Sequence, residues 1–124
     1  MIALSKSEEQ LMEIIWQEEA VFLKDILDRY PEPKPAGTTI ATLLKRMQDK
    51  GFVGYRLFGN SRQYYPLVKK EAYFSKQVKG MIRHFFNNSP LEFASFFTSN
   101  ANLSTADLEA LKQMVNQEIK RKKK

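Results

Sequence analysis

Three observations predict a mainly α-helical chain with one small β-hairpin. Apolar residues recur at helical spacing through most of the 124 residues. In one stretch the period drops to two: Phe52-Val53-Gly54-Tyr55-Arg56-Leu57-Phe58 and Arg62-Gln63-Tyr64-Tyr65-Pro66-Leu67 flank a Gly59-Asn60-Ser61 turn. Charge is segregated, with a net −5 over residues 1–33, +5 over residues 34–68 and +6 over residues 69–124. An acidic block beside a basic one gives a small domain a directed field, which fits a polyanion partner or an ordinary solvated surface.

Composition excludes whole classes of chemistry. With no Cys, the chain has no disulfide, thiolate metal site or cysteine nucleophile. His84 is the only histidine and has no carboxylate or second histidine beside it, so it reads as structural or solvent-facing. No grouping of paired acids, or of a nucleophile with a base, stands out, and neither an enzyme nor a cofactor is expected. No apolar run approaches the ~20 residues that span a bilayer, and Met1–Ser5 is too short for a leader peptide. A soluble, cytoplasmic chain without membrane insertion is the expectation.

The first helix opens at Ser5-Lys6-Ser7-Glu8, a capping box, and carries two apolar stripes, Leu11/Ile14/Ile15 and Met12/Trp16. Gln17-Glu18-Glu19 closes it. A second helix places Phe22, Leu23, Ile26, Leu27 and Tyr30 on one buried face. Pro31, Pro33 and Pro35 then hold the connection extended. The third helix, Thr38 to Lys50, buries Ile40, Leu43, Leu44 and Met47, and Gly51 supplies its left-handed stop. Its opposite side holds Thr38, Thr42, Lys45 and Asp49, flanked by Thr39 and Ala41, with Arg46 following. A face meant only for water usually carries more Glu and Lys, because Thr lowers helix propensity. Small residues let a helix approach a groove floor, and Thr hydroxyls and methyls suit base edges. Lys45 and Arg46 fall where phosphates would flank the helix. The bland reading of the same residues is an amphipathic helix with a plain outer face.

Three helices followed by a hairpin carrying Arg56 and Arg62 form the order of a winged helix-turn-helix domain over residues 1–69, in which the third helix enters the major groove of double-stranded DNA. Residues 70–124 read as a helical dimerisation region of three helices ending in a basic tail. The first, about Lys70 to Asn87, carries Phe74, Val78, Met81, Ile82, Phe85 and Phe86; the second opens at Ser89-Pro90 and carries Leu91, Phe93, Phe96 and Phe97. The third opens at Ser104 and carries Leu108, Leu111, Val115 and Ile119. Burying each aromatic contributes about 2–3 kcal/mol, and this much apolar face exceeds what a short segment hides alone. A homodimer built on Phe74, Val78, Ile82, Phe85, Phe93, Phe97, Leu108, Leu111 and Val115 is expected, against the alternative of a helical cap on the chain's own domain. The terminal Lys120-Arg121-Lys122-Lys123-Lys124 reads as a frayed solvated tail or a phosphate contact.

On Leu4-Ser5-Lys6-Ser7-Glu8, Met12-Glu13-Ile14-Ile15-Trp16, Thr39-Ile40-Ala41-Thr42-Leu43-Leu44-Lys45-Arg46-Met47 and the hairpin from Gly51-Phe52-Val53 to Tyr64-Tyr65-Pro66-Leu67, the chain resembles the BlaI/MecI penicillinase-repressor family of bacterial transcription factors. The resemblance implies a dimeric repressor of operators containing a TACA…TGTA inverted repeat. It places base recognition on Thr38, Thr39, Ala41, Thr42 and Arg46, with wing support from Arg62; Ala41 stands where the family pattern has a long basic residue. It also implies induction through a membrane sensor protease pathway that leads to cleavage at an Asn-Phe bond. That bond falls at Phe96-Phe97 here, with Phe96 in place of Asn. The cysteine switch of the copper-responsive relatives is absent. The alternative reading is a winged-helix module that binds protein without sequence-specific DNA binding.

Overall fold

The computed structural model describes residues 3–124, so residues 1 and 2 of the Met1–Ser5 stretch lie outside the described residues. The elements run α1 (Lys6–Glu18), β1 (Val21–Phe22), α2 (Leu23–Arg29), α3 (Gly37–Asp49), β2 (Val53–Phe58), β3 (Ser61–Pro66), α4 (Lys70–Phe85), α5 (Pro90–Asn100) and α6 (Thr105–Lys123). They form two compact units that divide between Gln77 and Val78. Among the described residues no helix is long and apolar enough to cross a membrane.

The capping box that opens α1 is complete. Ser5 Oγ accepts from the Glu8 amide at 3.2 Å, and Glu8 Oε1 accepts from the Ser5 amide at 2.8 Å. The helix buries Leu11, Met12, Ile14 and Ile15. Trp16 is half-buried at the edge of the core, its indole N–H donating to the Val68 carbonyl at 2.8 Å. After α1 the structure departs from the sequence reading. Phe22, expected on the second helix, belongs with Val21 to a third strand paired to β3, in register Val21↔Tyr64 and Phe22↔Gln63. Strand pairing takes this segment because Val21 fills the core beside Tyr64, both being buried.

Lys34, between Pro33 and Pro35, closes α2. Its ammonium donates to the carbonyls of Leu27, Asp28 and Tyr30 at 3.3, 3.1 and 2.8 Å, adding a donor to the carbonyl end of the helix, where Leu27 O also accepts from the Tyr30 amide. Helix α3 buries Ile40, Leu43, Leu44 and Met47, as its spacing requires. It ends in a Schellman motif, with Phe52 N–H donating to Met47 O at 2.9 Å and Gly51 N–H to Gln48 O at 3.0 Å. Gly51 sits at φ 82°, where a Cβ would be strained. Phe52 and Met47 are both buried, which supplies the motif's usual apolar contact, and β2 begins one residue later.

The sheet is antiparallel in the order β1-β3-β2. Val21, Tyr64, Tyr55 and Val53 share the face turned to the helices, and Tyr73 of α4 completes the core beneath them. Tyr73 is buried and its hydroxyl accepts from the Leu4 amide at 2.8 Å. The first compact unit runs on to Gln77, because the first turns of α4 are part of its core. Phe74 goes with them. Expected in the dimerisation set, it packs half-buried against Trp16 and Tyr73, with ring centroids 5.9 and 5.0 Å apart.

In the second unit α4 ends at Phe85, two residues short of the expected Asn87. Asn87 and Asn88 both adopt positive φ, a backbone region asparagine tolerates. Ser89 caps α5 with Pro90 at its first position, and Ser104 with Asp107 forms a second capping box at α6. Phe86 meets Phe93 and Phe96 at 5.5 and 5.3 Å. Helix α6 continues to Lys123, so the basic run is helical rather than frayed. Cations in a last turn suit the negative end of the helix dipole, and Arg121 also pairs with Glu118.

Candidate nucleic-acid interface

Thr38, Thr39, Ala41, Thr42, Lys45 and Arg46 are all exposed, as the helical wheel of α3 requires once its apolar stripe is buried. Thr42 Oγ1 donates to the Thr38 carbonyl at 3.0 Å, which spends its hydrogen on the helix and leaves an acceptor and a methyl facing out. Lys45 Nζ lies 3.0 Å from Asp49 Oδ1 one turn on, with both side chains well exposed. A pair of that kind is weak and yields readily to a stronger anion.

Arg46 is turned toward the flank of α3. Its Nη1 is 3.8 Å from Glu8 Oε2, and Lys50 Nζ is 2.8 Å from the same oxygen. Glu8 is buried, and burial alone would raise its pKa. The hydrogen bond from Lys50, the hydrogen bond from the Ser5 amide and the charge of Lys50 outweigh that and hold the carboxyl below its usual range. Neither Glu8 nor Lys50 was legible as part of this face. Glu8 reads from the sequence only as a cap, and a contact across 42 residues leaves no periodic trace.

The hairpin register sorts the two wing arginines. Arg56 pairs with Gln63 and Arg62 with Leu57, so their side chains leave opposite faces of the β2–β3 ribbon. Each lies over a tyrosine of its own face, Arg56 4.9 Å from the Tyr65 ring and Arg62 4.3 Å from the Tyr55 ring. Stacking restrains the guanidinium groups without using their donors. Gly54 makes room for this arrangement, since a Cβ there would stand 2.9 Å from the Tyr65 hydroxyl.

In the second unit, described by itself, no residue from Val78 to Lys124 is fully buried. Val78, Phe85, Phe97, Leu108 and Val115 are exposed, while Ile82, Phe93 and Leu111 are half-buried. Phe85 and Leu91 each leave 79% of their surface open. The Phe96–Phe97 bond lies inside α5, so both residues are helical. His84 is exposed, and among the described residues no cluster of His, Cys, Asp and Glu is disposed to hold a metal ion.

A helical unit that presents a small-residue helix outward and passes directly into a cation-bearing hairpin belongs to the winged-helix transcription regulators. Nearly the whole chain fixes the family: residues 4–117 match the penicillinase repressor model, and the chain belongs to that family of non-enzymatic, DNA-binding repressors. It is similar to the methicillin resistance regulatory protein MecI of Staphylococcus aureus strain N315, with 26% identity over 114 residues, covering 91% of this chain and 93% of that protein. The corresponding protein of Mammaliicoccus sciuri is 25% identical over the same span. The penicillinase repressor of Bacillus licheniformis is 22% identical over 121 residues, covering 97% of this chain and 94% of that protein.

Proposed function

We propose that the chain is a homodimeric repressor of an inverted-repeat operator, with α3 of each protomer in the major groove and the wing arginines on the phosphate backbone. The exposed face of α3 carries this reading: Thr38, Thr39, Ala41 and Thr42 stand open where a water-facing helix would carry long charged residues. Lys45, Arg46, Arg56 and Arg62 supply affinity, and the threonine face supplies sequence choice. Four phosphates per protomer correspond to a slope of about −7 for log affinity against log salt in a dimer.

The open apolar side chains of Val78–Lys124 support the dimer. Phe85, Leu91, Met114 and Val115 are too exposed for a lone chain to carry without cost. A cut at Phe96–Phe97 detaches α6 and its apolar residues from the winged unit, which is how proteolysis by a sensor pathway would inactivate the repressor. Because that bond is helical, α5 must unwind before a protease takes it.

Selection of bound sequences from a random duplex pool at physiological salt tests the reading. A twofold-symmetric consensus is the expected result. Failure to retard any duplex overturns it and favours a protein-docking module. Arg62→Ala should weaken binding to all sequences alike and flatten the salt slope by roughly 2 units, one phosphate in each protomer; selective loss at one base pair contradicts a backbone role.

A further inference from the structure

Glu8 is the one charged side chain buried among the described residues, and its role at the head of α1 does not account for that. A capping box needs one carboxylate oxygen and no burial. The second box of this chain, Ser104 with Asp107, is exposed and makes the same reciprocal hydrogen bonds. In Glu8 the two oxygens are divided: Oε1 accepts from the Ser5 amide, while Oε2 leaves α1 and faces α3.

On the α3 side the two cations are held differently. Lys50 donates directly to Oε2 at 2.8 Å and keeps only a quarter of its side chain exposed, so it neutralises the carboxylate. Arg46 stands 3.8 Å away, beyond hydrogen-bond reach, and remains half exposed. Its guanidinium has five N–H donors in a rigid plane, and at 3.8 Å none of them is committed to Glu8 by a hydrogen bond. The carboxylate thus orients the arginine without consuming it.

We propose that Glu8 is a positioning residue for nucleic-acid binding: from the first turn of α1 it sets the Arg46 guanidinium against the flank of α3 so that its free donors meet a phosphodiester beside the groove. This rests on the DNA-binding reading above and adds to it a residue that touches no DNA. Lys50 is the counter-charge that keeps Glu8 from repelling the same phosphate.

A double-mutant cycle on the selected operator, read by fluorescence anisotropy over a range of salt, tests the proposal. Glu8→Gln keeps the acceptor that caps Ser5 and removes the charge. It should weaken binding about five- to tenfold, in the range shown by coupled neighbours, and flatten the salt slope as Arg46→Ala does. In the Arg46→Ala background Glu8→Gln should cost nothing further. An equal loss in both backgrounds overturns the proposal, because the effect then runs through the α1–α3 packing. So does tighter binding by Glu8→Gln, which would make Glu8 a competitor for Arg46, and so does an unchanged affinity. Should Glu8→Gln fail to fold, Arg46→Lys decides. A positioned fork predicts a loss close to that of Arg46→Ala, and retained affinity overturns the proposal. If the wild-type protein retards no duplex, the DNA-binding reading itself has failed, an outcome distinct from wild-type binding without coupling.

Discussion

Thr42, proposed to read base edges, shows how little the fold needs of such a side chain. Its side chain is exposed and its one hydrogen bond goes to its own helix, at the Thr38 carbonyl. Thr42→Glu should leave the far-ultraviolet spectrum and melting temperature close to wild type. In a gel shift it should weaken specific binding about 10- to 100-fold, the scale of a lost base-edge contact; a variant bound as tightly as wild type would remove Thr42 from the interface. Glu8 behaves in the opposite way, being set by the fold. Its carboxyl is held below the ordinary value of 4.5, so the folded state binds its proton more weakly than the unfolded chain does. The stability it contributes is present above pH 4.5 and is lost as pH falls through the lower folded value. Melting curves from pH 7 down to pH 3 should therefore show wild type and Glu8→Gln converging at the acid end. A gap that stays constant across the range contradicts the assignment.

At the scale of elements, two glycines of the hairpin region serve different purposes. Gly51 has open space around it but a φ of 82°, so Gly51→Ala costs only backbone strain, about 1 kcal/mol. For a unit of this size that is a fall of about 4–8 °C in melting temperature, measurable by calorimetry; no change would mean that the Schellman turn relaxes. Gly54 has ordinary backbone angles but faces the Tyr65 ring. Local signals made the first reason legible in the sequence, since a helical run that stops at Gly before a two-residue period announces the turn. They were silent on the second, which depends on the cross-strand partner. The same division runs through the fold. Helix α3 and its buried stripe, the capping boxes and the hairpin were legible because each repeats or caps within a few residues. The two-residue strand β1 was not, because two residues show no period, and Phe22 satisfies a helical spacing as well as a strand one. Tyr73 and Phe74 look like the start of a dimer helix until Leu4 and Trp16 are seen against them. The opposite faces of Arg56 and Arg62 follow from the register of a hairpin, which the turn residues hint at and the pairing fixes.

For the whole molecule, the candidate site was legible on α3, where the exposed residues are the ones the helical wheel leaves over. It was not legible where it depends on Glu8 and Lys50. The second unit carries its own expectation. Val115 is more than half exposed on α6 beside Met114 and Ile119, and Val115→Lys places a charge in that apolar face. Sedimentation should show the variant shifted toward monomer with weaker operator binding, and a dimer as tight as wild type would move the interface elsewhere. One last consequence lies in the join between α3 and the wing, where Gly51 and Phe52 are the turn itself and no slack chain intervenes. On the DNA-binding reading, the element that reads bases and the element that grips the backbone form the two fixed jaws of one caliper. Such a tool gauges groove width as well as lettering, so altered base pairs that neither jaw touches should still change affinity by changing the shape being measured.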